Sequence, residues 1–125
     1  MNAVITGLGV LAPTGSGVKQ FWEATLEGAS GIGPVTRFDA SNYPSTLAGE
    51  VTGFSAKGIL PSRLLPQTDH STRMSLVGAE WALADAGVDP AAHEGFDLAV
   101  ITASSAGGYE FGQRELQNMW SKGGK

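Results

Sequence analysis

Apolar positions along this chain recur in two periods, and the alternation between them predicts its elements. Ala3-Val4-Ile5-Thr6 is a continuous apolar run closed by Gly7, the pattern of a strand covered on both faces. Val18, Phe21, Trp22, Thr25 and Leu26 then stand at i, i+3, i+4, i+7 and i+8, one face of a helix. Ser16 is its expected N-cap and Gly28 its C′ residue. Gly31 to Ser45 carries Gly, Pro, Asp and Asn at turn positions and reads as loop, and Leu47 to Val51 reads as a short strand. A second helix starts from Thr68 or Asp69 as cap, turns Met74, Val77, Trp81 and Ala84 inward, and stops at Gly87 before Asp89-Pro90. Gly78 in its middle costs about 1 kcal/mol relative to Ala, which points to a close backbone approach there. Leu98-Ala99-Val100-Ile101-Thr102 is a second continuous apolar run. It leads through Ser-Ser-Ala-Gly-Gly into a third helix from Tyr109 to about Ser121.

Strand alternating with helix in this way predicts an α/β layered domain. The runs at 3–6 and 98–102 are its expected adjacent parallel strands, buried in one sheet, and Trp22 and Trp81 its expected core aromatics. Three strands are fewer than the four to six or so of a typical sheet. Residues 1–125 are therefore expected to be the N-terminal part of a longer chain. The absence of Cys removes disulfides, thiolate metal sites and a thiol nucleophile from this segment. A net charge of −4 without a basic run argues against a nucleic-acid or anionic-membrane surface. The first twelve residues lack a basic n-region and are interrupted by Gly7, Gly9 and Pro13, and no apolar run is long enough to span a bilayer. The cytoplasm is the expected location.

Four features could carry chemistry. Gly7-Leu8-Gly9-Val10-Leu11-Ala12 satisfies G-x-G-x-x-A after a strand, but the dinucleotide fingerprint needs a helix to open within the motif. Pro13, Gly15 and Gly17 postpone that helix, so a structural role is preferred and no cofactor is expected. No P-loop spacing occurs. His70 and His93 have no neighbouring ligand or thiol in sequence and read as surface residues; no metal site is expected. Ser104 and Ser105 follow a strand end but lack the G-x-S-x-G elbow, and read as loop packing. On the third helix Tyr109, Gly112 and Leu116 share one side, continuing to Met119 or Trp120, while Glu110 and Arg114 form an i,i+4 pair on another. From pattern alone this is an amphipathic helix packing on its own sheet.

Ordered blocks narrow the reading. Val4 to Val10, Phe21-Trp22-Glu23, Gly31-Ile-Gly-Pro-Val-Thr-Arg-Phe-Asp39, Tyr43-Pro-Ser-Thr-Leu-Ala-Gly-Glu-Val51, Ser62-Arg-Leu-Leu-Pro-Gln-Thr-Asp69 and Ala99 to Gly108 together resemble the N-terminal region of β-ketoacyl synthases, the condensing enzymes of fatty-acid and polyketide assembly. The Leu-Leu-Pro-Gln-Thr-Asp block with Ser71-Thr72-Arg73 after it is most similar to the chain length factor, the β subunit of type II aromatic polyketide ketosynthases.

The resemblance implies a thiolase-like layered fold. It also implies a heterodimer with a catalytic ketosynthase α subunit, which condenses malonyl units delivered on acyl carrier protein onto a polyketide acyl chain. In such enzymes a Cys nucleophile holds the acyl chain and two His residues assist the decarboxylative condensation. The family places these residues downstream of this segment, and in chain length factors the Cys is itself replaced. No catalytic residue is therefore assigned here. The resemblance further implies that the third helix lies at the subunit interface and that Tyr109, Gly112 and Leu116 line the acyl tunnel. Two other readings remain: an active condensing enzyme of fatty-acid type, and more distantly a nucleotide-binding oxidoreductase domain.

Overall fold

The computed structural model describes residues 2–124. They fall into two compact units, one formed by the residues up to Ser55 with Gly78–Val88, the other by Ala56–Val77 with those from Asp89 on.

The first unit begins with two small antiparallel ribbons. β1 (Leu11–Ala12) pairs with β2 (Gly15–Ser16) across the Pro13-Thr14 turn, in the register Leu11↔Ser16 and Ala12↔Gly15. β3 (Ile32–Pro34) pairs with β4 (Leu47–Gly49) in the register Ile32↔Gly49, Gly33↔Ala48 and Pro34↔Leu47. The β4 strand lies within the expected 47–51 strand, but β3 lies in a segment expected to be loop, and β1 and β2 lie in the Gly- and Pro-interrupted stretch before α1. Gly and Pro depress strand propensity, and here a paired neighbour overrides it.

Between the ribbons runs α1 (Val18–Leu26), capped by Gly17 and not by Ser16. The Ser16 N–H instead donates to the side-chain carbonyl of Gln20 at 3.1 Å. The helix ends as expected at Gly28, where the Ala29 and Gly28 N–H groups close back onto Ala24 and Thr25 carbonyls at 2.9 and 3.1 Å. Its inward side is Phe21 and Ala24. Trp22 is 57% exposed, so its expected place in the core is corrected. A nine-residue helix against two short ribbons has too little partner surface to cover both edges of its apolar stripe.

α2 (His70–Ala86) contributes its C-terminal half to this unit. The segment around Gly7-Leu8-Gly9 lies directly on that half. The Leu8 N–H donates to the Asp85 carboxylate at 2.9 Å. A Cβ on Gly9 would sit 2.8 Å from the Gly78 carbonyl carbon and 3.0 Å from the Ala82 nitrogen, and one on Gly7 would sit 2.6 Å from the Ala86 nitrogen. The expected close approach at Gly78 is present, but the glycines that permit it are Gly7 and Gly9. α2 closes at Gly87 (φ +66°), with Val88 N–H on the Leu83 carbonyl at 3.0 Å and Gly87 N–H on that of Ala84 at 3.2 Å.

The second unit is built around the start of α2. Ala56, Leu60 and Val77 are its buried apolar residues. A 3₁₀ turn (Ser62–Gln67) leads into the helix. Arg73 ties the turn to the helix by donating to the Leu65 and Thr68 carbonyls at 2.5 and 2.6 Å and to Thr68 Oγ1 at 3.3 Å. Along α2, Val77 is fully buried and Met74 and Trp81 are half-buried, whereas Ala84, expected inward, is exposed. The unit ends in α3 (Tyr109–Ser121), at the expected bounds.

The two long apolar runs do not form strands. Val4 and Ile5 are 77% and 82% exposed and Val100 and Ile101 89% and 95% exposed, and neither run belongs to a sheet among the described residues. The expectation that they are buried and adjacent in one sheet is thereby corrected. A strand apolar on both faces needs ladder partners at its edges and a layer on each side, and no described segment supplies them.

Candidate functional site

The expected tunnel face is carried by α3, whose position is set at its N-terminal end. Gly108 caps it with φ +73°. One residue in, Glu110 reaches the start of α2, its carboxylate accepting the His70 N–H at 2.9 Å. Asp69 caps α2 in turn, accepting the Thr72 N–H at 2.8 Å and the Ser71 hydroxyl at 3.1 Å. The Thr72 side chain and N–H, with the Ser71 hydroxyl, hold the Asp69 carboxyl down to about 2. Asp69 is thus an anion throughout the working range, in a site where its side chain is almost fully enclosed.

Helical rotation of about 100° per residue sorts the α3 side chains. Glu110, Phe111 and Arg114 fall within an arc of about 100° and line a cleft of about 210 Å³ with Pro66, Thr68, Asp69 and Arg73. Tyr109, Gly112 and Leu116 fall within an arc of about 60° centred on the opposite side. Tyr109 is 71% and Leu116 46% exposed, and a Cβ on Gly112 would meet no atom within 4 Å. The three residues expected to line a tunnel therefore share one open strip about 10 Å long, and no described residue covers it.

The remaining candidates take ordinary places. Ser104 Oγ accepts the Ala106 N–H at 3.3 Å, a loop contact. His93 is exposed, and His70 is half-buried in the first turn of α2. The glycines of the G-x-G-x-x-A motif press their backbone against α2, and the helix that follows starts only at Val18. Glu110 was expected to pair along its own helix with Arg114. Its bond to His70, forty positions away in sequence, has no local signal.

The ketoacyl synthase N-terminal domain matches residues 2–125. The chain belongs to the β-ketoacyl synthase family. Similar relatives of this family include the ketoacyl synthase β subunit of the tetracenomycin polyketide synthase of Streptomyces glaucescens, 54% identical over 96% of this chain and 29% of its own length. A β-ketoacyl synthase 2 named for the actinorhodin polyketide, from Streptomyces coelicolor, is 51% identical over the whole of this chain and 31% of its own. A solved structure described as the ishigamide ketosynthase/chain length factor superposes with a TM-score of 0.75 at 26% identity, over 96% of this chain and 30% of that one. This β-ketoacyl synthase chain thus spans about 30% of the length of the curated relatives it matches. Its fold matches part of a thiolase-like ketosynthase. No helix among the described residues is long and apolar enough to cross a membrane.

Proposed function

We propose that this chain is the N-terminal part of a chain length factor, the non-catalytic partner that pairs with a catalytic ketosynthase α subunit and bounds the tunnel holding a growing polyketide. The observation that carries the reading is identity of about half across the whole segment to proteins named as β subunits and second β-ketoacyl synthases of polyketide systems. In this reading the α subunit supplies the Cys thiolate and the His residues. The thiolate takes the acyl chain from its thioester, and the malonyl unit on acyl carrier protein loses CO₂ to give the enolate that attacks it. This chain contributes space. The open strip Tyr109, Gly112 and Leu116 faces the acyl chain across the dimer interface.

A missing side chain at Gly112 leaves a void that acyl carbons can fill. Gly112→Phe in the full-length heterodimer is therefore expected to shorten the polyketide, since a ring forced into a packed channel costs about 1–3 kcal/mol. Leu116→Phe acts in the same direction and Leu116→Ala in the opposite one. The readout is the carbon count of the products of the reconstituted synthase. Unchanged product length for all three, with the heterodimer intact and active, would refute the reading.

A further inference from the structure

The N-termini of α2 and α3 are joined by a carboxylate. Glu110, in the first turn of α3, accepts from His70, the first residue of α2. The start of α2 has donors that its own backbone cannot satisfy, and one of them is met by an acid from α3. The bond also fixes rotation, because Glu110 lies about 130° around α3 from the middle of the Tyr109, Gly112, Leu116 strip. With Glu110 docked on α2, the strip is turned away from the 62–77 segment. Releasing Glu110 leaves α3, exposed along its whole length, free to roll and to shift all three wall positions together.

From this geometry we infer that Glu110 is a positioning residue of chain-length control: its bond to the His70 N–H sets the rotation of α3 and so holds the tunnel wall at one depth. The inference rests on the proposed tunnel role of the strip. It goes beyond that role in assigning product uniformity to a contact on the opposite face of the helix, made by residues that do not touch the acyl chain.

The position of His70 allows a clean test. As the first residue of α2 it stands where Pro is well tolerated, since a capping residue before it normally takes the extended backbone that Pro requires. His70→Pro therefore deletes the N–H that Glu110 accepts while leaving the helix its start, and His70→Ala removes the side chain but keeps that N–H. Glu110→Ala removes the acceptor, and Glu110→Gln retains a carbonyl oxygen in its place. Each variant is made in the full-length heterodimer. The length distribution of its products, total turnover, and amide hydrogen exchange of α3 are then measured, with Gly112→Phe alongside.

Glu110→Ala and His70→Pro are expected to spread the products over neighbouring chain lengths at near-normal total turnover. Exchange in the first turns of α3 should speed up about tenfold, the equivalent of about 1.4 kcal/mol. Glu110→Gln and His70→Ala should keep a single length and normal protection. If Gly112→Phe shifts the length while Glu110→Ala and His70→Pro leave it uniform, the clasp has no part in length control and the tunnel reading stands. If Gly112→Phe also changes nothing, the tunnel reading fails and the inference with it. Should Glu110→Ala not assemble, the contrast between His70→Pro and His70→Ala decides alone, and equal, uniform products from the two overturn the inference.

Discussion

The contact between the Gly7–Gly9 segment and α2 is tight on one side only, which makes the two glycines that meet there respond oppositely to the same substitution. A methyl on Gly9 would lie 2.8 Å from the Gly78 carbonyl carbon and 3.0 Å from the Ala82 nitrogen, and nearer still to the Gly78 oxygen. All three are backbone atoms of a regular helix and cannot swing aside as the end of a flexible side chain would. The segment must back away, which strains its Leu8 N–H bond to Asp85. Overpacking of this kind costs about 1–3 kcal/mol, and with rigid backbone on the far side Gly9→Ala belongs at the upper end.

A methyl on Gly78 meets only the Gly9 oxygen, at 3.9 Å, an ordinary van der Waals distance. There the helix propensity of Ala over Gly is left to act, worth about 0.8–1 kcal/mol. Gly78→Ala should accordingly stabilise. By thermal unfolding followed in the far-ultraviolet circular dichroism, at about 4 °C or more per kcal/mol, Gly9→Ala should lower the midpoint by about 10 °C and Gly78→Ala should raise it by about 4 °C. Urea unfolding provides the independent check. A Gly9→Ala protein within about 0.5 kcal/mol of the parent, or a Gly78→Ala protein less stable than Gly9→Ala, would refute the packing argument.

Three further outcomes follow from the same structure. Val77→Ala, at a fully buried site, should cost about 2 kcal/mol, and Trp22→Ala, at a residue 57% exposed, should cost less despite its larger loss of atoms; urea unfolding that ranks them the other way would return Trp22 to the core. The Asp69 carboxyl is lowered from 3.8 to about 2, so its contribution to stability is fully present above about pH 4 and is lost as pH falls toward 2. Asp69→Asn, which keeps a capping oxygen but cannot titrate, should flatten the fall in melting midpoint over that window, and an unchanged slope would show that Asp69 is not its source. Glu50→Ala removes the acceptor of the Thr36 hydroxyl at 2.6 Å and of the Thr36 and Arg37 N–H groups at 3.1 and 3.4 Å; limited proteolysis should then cut near Thr36–Arg37 sooner than in the parent, and equal cleavage rates would refute a tethering role.

How much of this was legible in the sequence depends on the range of the interaction involved. The three helices were legible because their causes are local. An apolar stripe recurring every three to four residues, an acid at the Asp69 cap, and glycines at Gly28 and Gly87 able to take a positive φ all act within a few positions of one another. The family was legible for a related reason, since its motifs are short ordered blocks that survive without knowledge of what they touch. Of the two ribbons only the β4 strand was legible. Ile32-Gly33-Pro34 is a strand only because Leu47-Ala48-Gly49 lies beside it, and pairing at that separation overrides the turn propensity of Gly and Pro. The runs at 3–6 and 98–102 show the converse. Their apolar pattern has the composition of interior strands, but burial is a property of what surrounds a segment, and without ladder partners both remain exposed. The α3 strip divides along the same line. That Tyr109, Gly112 and Leu116 share a face follows from helical periodicity in the sequence itself. Which way the face points was decided only by tertiary structure, through the Glu110 carboxylate on the His70 N–H, because a hydrogen bond between residues forty positions apart leaves no trace in either local pattern.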